Sequence, residues 1–309
     1  MPPDSHATVL TTAQTQDDEA TPRALSKTPS RTSRDFFSIP APVKRVFDRF
    51  PLVTYPANPL PGWRDRDVKQ NQLFVFIDPA GAQRGAPSYN PQCLRWQAYL
   101  KFVGVEFDSV PSNNHASPTG ALPFLYPASP PNIGPIPSNK LQKWAIEQVH
   151  CEEEQQLNFR FDVYATLLDH RIRNAWLYQL YLDNDNFTAV ARPRYIDSCT
   201  SNPVVRKALA VQLQHAARDE LLKTLDIVDV RDLEAEADEA FQALSTLLNN
   251  REYFFRDGRP GLFDASVFAY THLILDDSLG WRHNPLRHIL MKYENLIDHR
   301  QRLFQAYFA

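Results

Sequence analysis

Between Leu209 and Leu225 an apolar side chain returns every fourth residue, at Leu209, Leu213, Ala217, Leu221 and Leu225. That spacing lines one face of an α-helix. Leu141, Trp144, Ala145 and Val149 make a second such face, and 157–182 is a long aromatic-rich stretch of the same character. Further helices are predicted over 231–249, 263–277 and 285–308. From Lys140 onward the pattern is helical throughout.

The chain before that point reads differently. "QLFVFI" (72–77) is a short continuous apolar run and predicts a buried strand. "NPQCLRWQAYLKFVG" (90–104) predicts a helix, with Asn90 as N-cap, Pro91 in the first turn, Leu94, Ala98 and Phe102 on one face, and Gly104 as the stop. "VEFDSVPS" (105–112) predicts a second strand. "SPTGALPFLYPA" (117–128) predicts a loop running into a third. The order is strand, helix, strand, loop with proline, strand. Proline marks the division: of the 25 prolines, only Pro193, Pro203, Pro260 and Pro285 follow Pro137. The first half is thereby confined to strands, turns and extended segments, whereas the second is free to be helical.

Upstream of the first strand, "FFSIPAPVKRVFDRFPLVTYPANPLPGW" (36–63) combines prolines with Phe36, Phe37, Phe47, Phe50, Leu52, Tyr55 and Trp63. It has too many prolines for a domain and too much apolar surface for a solvated linker. An extended arm that packs either on its own globule or on a partner is the expectation. The predicted organisation is a disordered tail (1–35), an extended arm (36–71), an α/β domain (72–137) and an all-helical domain (138–309).

Composition narrows the function. The chain has 309 residues and a formal charge of −3, which gives no global attraction to nucleic acid or anionic lipid. Three cysteines, Cys93, Cys151 and Cys199, lack zinc-site spacing and suit a reducing compartment. The best apolar run, Ala265 to Leu275, is shorter than the roughly 20 residues a membrane span needs. The opening "MPPDSHATVL" lacks the apolar region of a signal peptide. Pro22, Pro29 and the acidic "QDDEA" argue against a presequence built on Arg23, Lys27, Arg31 and Arg34.

The order of elements and several motifs carry a resemblance. The strand–helix–strand unit, proline loop and helical half follow the order of the glutathione-transferase fold, an α+β architecture with an N-terminal thioredoxin-like layer. "SPTGALPFL" resembles the stretch before the cis-proline of thioredoxin-like domains, which implies a cis bond at Leu122–Pro123. "PGLFDASVFAY" (260–270) resembles the metaxin signature at the start of the sixth transferase helix, and "NPLRHILMKYENLIDHRQRLFQAYF" (284–308) resembles the metaxin C-terminal helix. The arm "RVFDRFPLVTYPANPLP" resembles the fungal branch of 35-kDa-type peripheral subunits of the mitochondrial sorting and assembly machinery.

The resemblance implies a non-enzymatic subunit on the cytosolic face of the mitochondrial outer membrane. Its partners would be the membrane-embedded β-barrel core subunit, a second metaxin-like subunit and incoming β-barrel precursors. Nucleic acid is not expected, and membrane association would run through protein contacts. Within the arm, Lys44, Arg45, Phe47, Phe50 and Tyr55 are the candidate partner contacts, since large aromatics favour interface cores.

The candidate chemistry points the same way. A transferase of this fold needs a thiol or hydroxyl at the start of the first helix, where the dipole lowers its pKa. Here that position is Asn90, and Cys93 falls three residues inside the helix as a buried structural thiol. Glutathione-binding members carry an acid-then-serine pair; the matching stretch "PIPSNKLQ" has Ser138 behind Pro137. The alternative, a diverged cytosolic glutathione transferase, would need Tyr89. "HCEEE" (150–154) reads as a solvated acidic face, and His283 and His288 flank a helix start without a third ligand. No catalytic, metal or cofactor site is expected. Asp264 stands in the first turn of an otherwise apolar helix, where a catalytic acid, a metal ligand or a cap is conceivable. Its spacing from Gly261 favours a capping role, for which Asp264→Ala would cost about 1 kcal/mol.

Overall fold

Four strands come together although their segments are short and separated by loops. A computed structural model describes residues 70–128, 134–149 and 159–309. The tail, residues 36–69 of the arm with its five candidate contacts, and "HCEEE" lie outside the described residues, and Asn71, placed at the end of the arm, instead opens β1. Strand β1 (Asn71–Val75) runs parallel to β2 (Phe107–Pro111), and β3 (Phe124–Tyr126) pairs antiparallel with β1 and with β4 (Ile136–Pro137). The sheet order is β2-β1-β3-β4. Phe74 and Phe124 are partners in the β1–β3 register, and their rings stack at 4.5 Å between centroids.

Two helices precede β2. The short α1 (Pro79–Gln83) has no counterpart in the periodicity reading; Asp78 caps it by accepting from Gly81 N at 2.8 Å. Helix α2 (Pro91–Phe102) begins where its N-cap predicts, with Asn90 Oδ1 accepting from Cys93 N at 3.1 Å. Gly104, at φ 80°, follows its end, in a backbone region that favours glycine. The peptide bond Leu122–Pro123 is cis and leads into β3.

The remainder is helical. Helix α3 (Ser138–Val149) follows β4 directly. The aromatic-rich stretch is a rod in which α4 (Phe159–Thr166) and α5 (Arg173–Leu177) alternate with wider π-type turns over Leu167–Ile172 and Tyr178–Leu182. Then come α6 (Asn184–Asn186), π-type turns over Phe187–Ala191 and Pro193–Asp197, α7 (Pro203–Leu221) and α8 (Val230–Leu248). Helix α9 (Leu262–Leu275), α10 (Pro285–Leu290) and α11 (Glu294–Tyr307) complete the chain. Of the four-residue repeat, Ala217 and Leu221 are buried, while Leu209, Leu213 and Leu225 are half-buried.

The helix expected over 285–308 is broken, a correction to the periodicity reading. Its pattern continues across the break, and no glycine or proline marks it. Tertiary contacts gather at the break: Lys292 Nζ reaches Asp238 Oδ2 at 2.7 Å, and the Tyr293 hydroxyl donates to Asp238 Oδ1 at 2.6 Å. Both residues of the turn are drawn onto α8, and the chain restarts as α11.

The centre of the molecule is α9. Every residue from Leu262 to Ile274 is buried, so the helix is surrounded by protein on all sides. It packs along α2 and against α11. Helix α2 is itself enclosed between the sheet and α9, which buries Trp96, Tyr99 and Leu100 as well as the face carrying Leu94, Ala98 and Phe102. One continuous core results, from Leu73 in the sheet to Leu303 in α11. Two hydroxyl side chains within α9 turn inward on the backbone: Ser266 Oγ donates to Leu262 O and Thr271 Oγ1 to Val267 O, each at 2.9 Å.

His272 is the exception. Its ring stacks between Phe268 and Phe304, at 5.2 and 5.1 Å, and its Nδ1 has no hydrogen-bond partner. Burial, reinforced by the Arg300 guanidinium and opposed by Asp276, pushes its pKa down to about 4. Between that value and the ordinary 6.5 the unfolded chain holds a proton that the folded chain does not. The stability contributed by neutral His272 is therefore complete above 6.5 and lost as pH falls toward 4. His272→Phe keeps the stack and removes the titration. Urea midpoints at pH 7.5 and pH 5 should differ less in this variant than in the parent chain, by the equivalent of about 2 kcal/mol. An identical pH dependence of both proteins would show that His272 is not held neutral.

Candidate functional site

The position where this fold places a nucleophile is the junction of β1, the start of α2 and the π-type turn Pro193–Asp197. Asn90 occupies it. Its side chain does two structural tasks: Oδ1 caps α2, and Nδ2 donates to the Tyr195 hydroxyl at 3.2 Å. The Tyr89 hydroxyl donates to Arg194 O at 3.2 Å. Phe76, Tyr89, Tyr181 and Tyr195 pack around the junction, with Tyr195 at 5.1 Å from Phe76, 5.4 Å from Tyr89 and 5.9 Å from Tyr181 between centroids. Beneath them Ser88 is fully buried; its Oγ donates to Phe76 O at 2.6 Å, and its N–H donates to Gln97 Oε1 at 2.8 Å.

The acid–base character here is opposite to that of an activated nucleophile. Cys93 is fully buried, and desolvation pushes its thiol up to about 12. Burial likewise pushes the Tyr89, Tyr181 and Tyr195 phenols up. A thiolate or phenolate is thereby disfavoured at every one of these groups. On the far side of the sheet Pro137 pairs with Phe124 in the β3–β4 register, and Ser138 opens α3 without a carboxylate before it.

Asp264 sits at the opposite end of the core. It is 1% exposed. Its Oδ2 accepts from Gly261 N at 2.9 Å, closing one side of a capping box whose other side Gly261 cannot supply. Its Oδ1 accepts from Phe254 N at 3.1 Å and from His299 Nε2 at 2.8 Å. His299 is fully buried, and its ring meets Phe254 edge to face at 5.2 Å. One carboxylate therefore ties α11 to the 254–261 loop and the start of α9. The capping spacing reveals only the Gly261 bond. The histidine partner lies 35 residues downstream, and no local pattern announces that pairing.

His283 and His288 do not converge. His288 is exposed, whereas His283 Nδ1 meets Asp183 Oδ2 at 3.2 Å. Among the described residues no cluster of three or more His, Cys, Asp or Glu side chains is arranged to hold a metal ion.

Comparison with known proteins gives two domain matches. Residues 91–186 match the model of the glutathione S-transferase N-terminal domain, and residues 237–303 match that of the C-terminal domain. Solved structures resembling the chain include a glutathione S-transferase of Ceriporiopsis subvermispora in complex with glutathione (TM-score 0.49, 12% identity, 77% of this chain and 98% of that one). Glutathione transferase F7 of Populus trichocarpa is another (TM-score 0.42, 9% identity, 76% and 93%). The two domain matches define a glutathione-transferase-like protein.

Two further matches are narrower. Residues 37–90 match the family described as SAM35, subunit of the SAM complex. Metaxin-3 of Xenopus laevis is 29% identical over 242 residues, covering 74% of this chain and 75% of that protein. The chain is thus similar to metaxins along most of its length and to the SAM35 family over 37–90.

Two outcomes follow from the site. Asp264→Ala strands three buried donors rather than one, so the expected loss rises from the scale of a cap to about 3–5 kcal/mol. Asp264→Asn should recover only part of it, because its amide nitrogen cannot accept a hydrogen bond. Urea denaturation measures both, and a loss near 1 kcal/mol for the alanine variant would reduce Asp264 to a simple cap. Separately, Cys93→Ser should leave the rate of thiol labelling of the native chain by Ellman's reagent unchanged. A slower native reaction would mean that Cys93 is accessible as thiolate.

Proposed function

We propose that this protein is a non-enzymatic peripheral subunit of the mitochondrial outer-membrane sorting and assembly complex. In this reading it sits on the cytosolic face and helps β-barrel precursors to be recognised and inserted. The observation that carries the reading is the SAM35 match, because it spans 37–90 and so takes in nearly all of the proline- and aromatic-rich arm through Trp63. The metaxin relative supports it over a larger part of the chain. Among the described residues no helix is long and apolar enough to cross a membrane, and a peripheral subunit held by protein contacts accords with that.

The arm is the attachment element. Lys44 and Arg45 stand beside Phe47, Phe50 and Tyr55, a combination suited to an aromatic interface core with a charged rim. The partners are the membrane-embedded barrel subunit and a second metaxin-like subunit. The side chains at the transferase position are consistent with such a role: Asn90 and Pro137 stand where a nucleophile and an acid would be, and Tyr89 is held as a protonated donor to Arg194 O.

The competing reading is a diverged glutathione transferase, favoured by the two domain matches. Retention of the purified chain on glutathione-agarose, with turnover of a standard electrophile, would establish it. For the subunit reading, a chain lacking 36–63 should leave the outer-membrane complex on blue-native gels while its circular dichroism stays helical. A chain lacking 1–35 should assemble normally. Carbonate extraction should release the intact protein from mitochondria. Full assembly of the arm-deleted chain would move the contact to the helical half.

A further inference from the structure

A cleft of about 320 Å³ opens between the π-type turns at Tyr178–Leu182, the start of α8 and the turn leading into α10. Its floor is apolar and well buried: Ala175, Leu233 and Leu286 are 4%, 2% and 1% exposed. Pro285 and Val230 extend that floor toward the opening. The rim carries two carboxylates and one imidazole: Asp183, Glu234 and His283 line it.

The turn that forms one wall is fixed by buried amides. Asn186 Oδ1 accepts from Arg282 N and His283 N at 2.9 and 3.1 Å, and its Nδ2 donates to His283 O at 2.7 Å. Gln179 Oε1 accepts from Leu286 N at 3.2 Å, and Gln179 Nε2 donates to Asn284 Oδ1 at 3.1 Å. Well-satisfied networks of this kind hold a backbone in one geometry, so the cleft is preformed.

The rim acids differ in what they already do. Asp183 is committed: Oδ1 caps α6 through Asp185 N and Asn186 N, and Oδ2 meets His283. Glu234 is half-buried and has no ion-pair partner among the described residues. Both carboxylates act on the Tyr178 hydroxyl, whose pKa is raised by burial first and then by Asp183 and Glu234. Both carboxylates and Tyr178 line the cleft.

An apolar trough with a carboxylate rim complements a long side chain with an apolar stem and a cationic head. We propose that this cleft seats a lysine or arginine side chain of a partner protein. The methylene stem lies on Leu233, Pro285 and Leu286, and the head is held by Glu234. The volume is at the low end for ligand sites, right for one side chain and its neighbours rather than a cofactor. Charge complementarity selects this occupant over a neutral apolar one, because burying Glu234 under an uncharged group would strand its carboxylate. Such a seat is independent of which complex the chain joins.

The test uses the intact chain and two isosteric probes, n-butylguanidinium and the neutral n-butylurea. Backbone amide chemical shifts are followed in each titration. The guanidinium should shift signals at 175–186, 230–236 and 283–287, binding at least about threefold more tightly than the urea. That preference should vanish in Glu234→Gln and reverse in Glu234→Lys, with spectra elsewhere unchanged as the check on folding. Equal binding of both probes, a preference surviving in Glu234→Gln, or shifts confined to other regions would each overturn the proposal.

Discussion

A carboxylate taken out of water must be surrounded by donors or it destabilises the fold by several kcal/mol. Asp264, buried in the first turn of α9, meets that condition with three donors drawn from three parts of the chain: Gly261 N, Phe254 N and His299 Nε2. Each donor fixes a different element. The first sets where α9 begins, the second holds the 254 loop against it, and the third brings α11 alongside. His299 Nδ1 has no partner. The tautomer that donates from Nε2 leaves there only an acceptor lone pair, which is less costly than an orphaned buried N–H. Because α9 is enclosed on every side and packs along α2, the position of the sheet layer depends in turn on this knot.

What the amino-acid pattern reveals here is what local chemistry encodes. Asn90 and Pro91 specify the start of α2 through one cap and one fixed φ, and the helix begins there. An apolar run such as Leu73 to Ile77 cannot say which strand it pairs with. The short strands β1 and β2 still fall within the predicted segments at 72–77 and 105–112, apart from one residue at the start of β1. The cis bond at Leu122–Pro123 is legible only through resemblance, since proline alone marks a turn without choosing the isomer.

Contacts distant in sequence are not legible. Asp238 lies 54 residues before Lys292, yet the two meet at the break in the last helix. The cleft beside Glu234 assembles from segments whose individual patterns are those of ordinary amphipathic helix and turn. Asn186 gives no hint from its neighbours that its amide will hold the backbone of His283. The apolar period governs which face turns inward. It is silent on which polar side chains then find one another, because a buried amide or carboxylate looks the same in sequence as a solvated one.

The transferase-like architecture uses the start of α2 as a joint. In an enzyme that place must stay open to a substrate and must favour an anion. Here Asn90 Nδ2 reaches Tyr195 and the Tyr89 hydroxyl reaches Arg194 O, so the helical half is fastened across the place where a thiol would act. Four aromatic rings pack around it, and burial raises Cys93 and the tyrosines away from ionisation. The two effects have one cause. Filling the cavity with aromatic surface strengthens the contact between layers through burial and removes the polar environment that an anionic nucleophile requires. Packing therefore occupies, at the start of α2, the position that an ionised nucleophile would need.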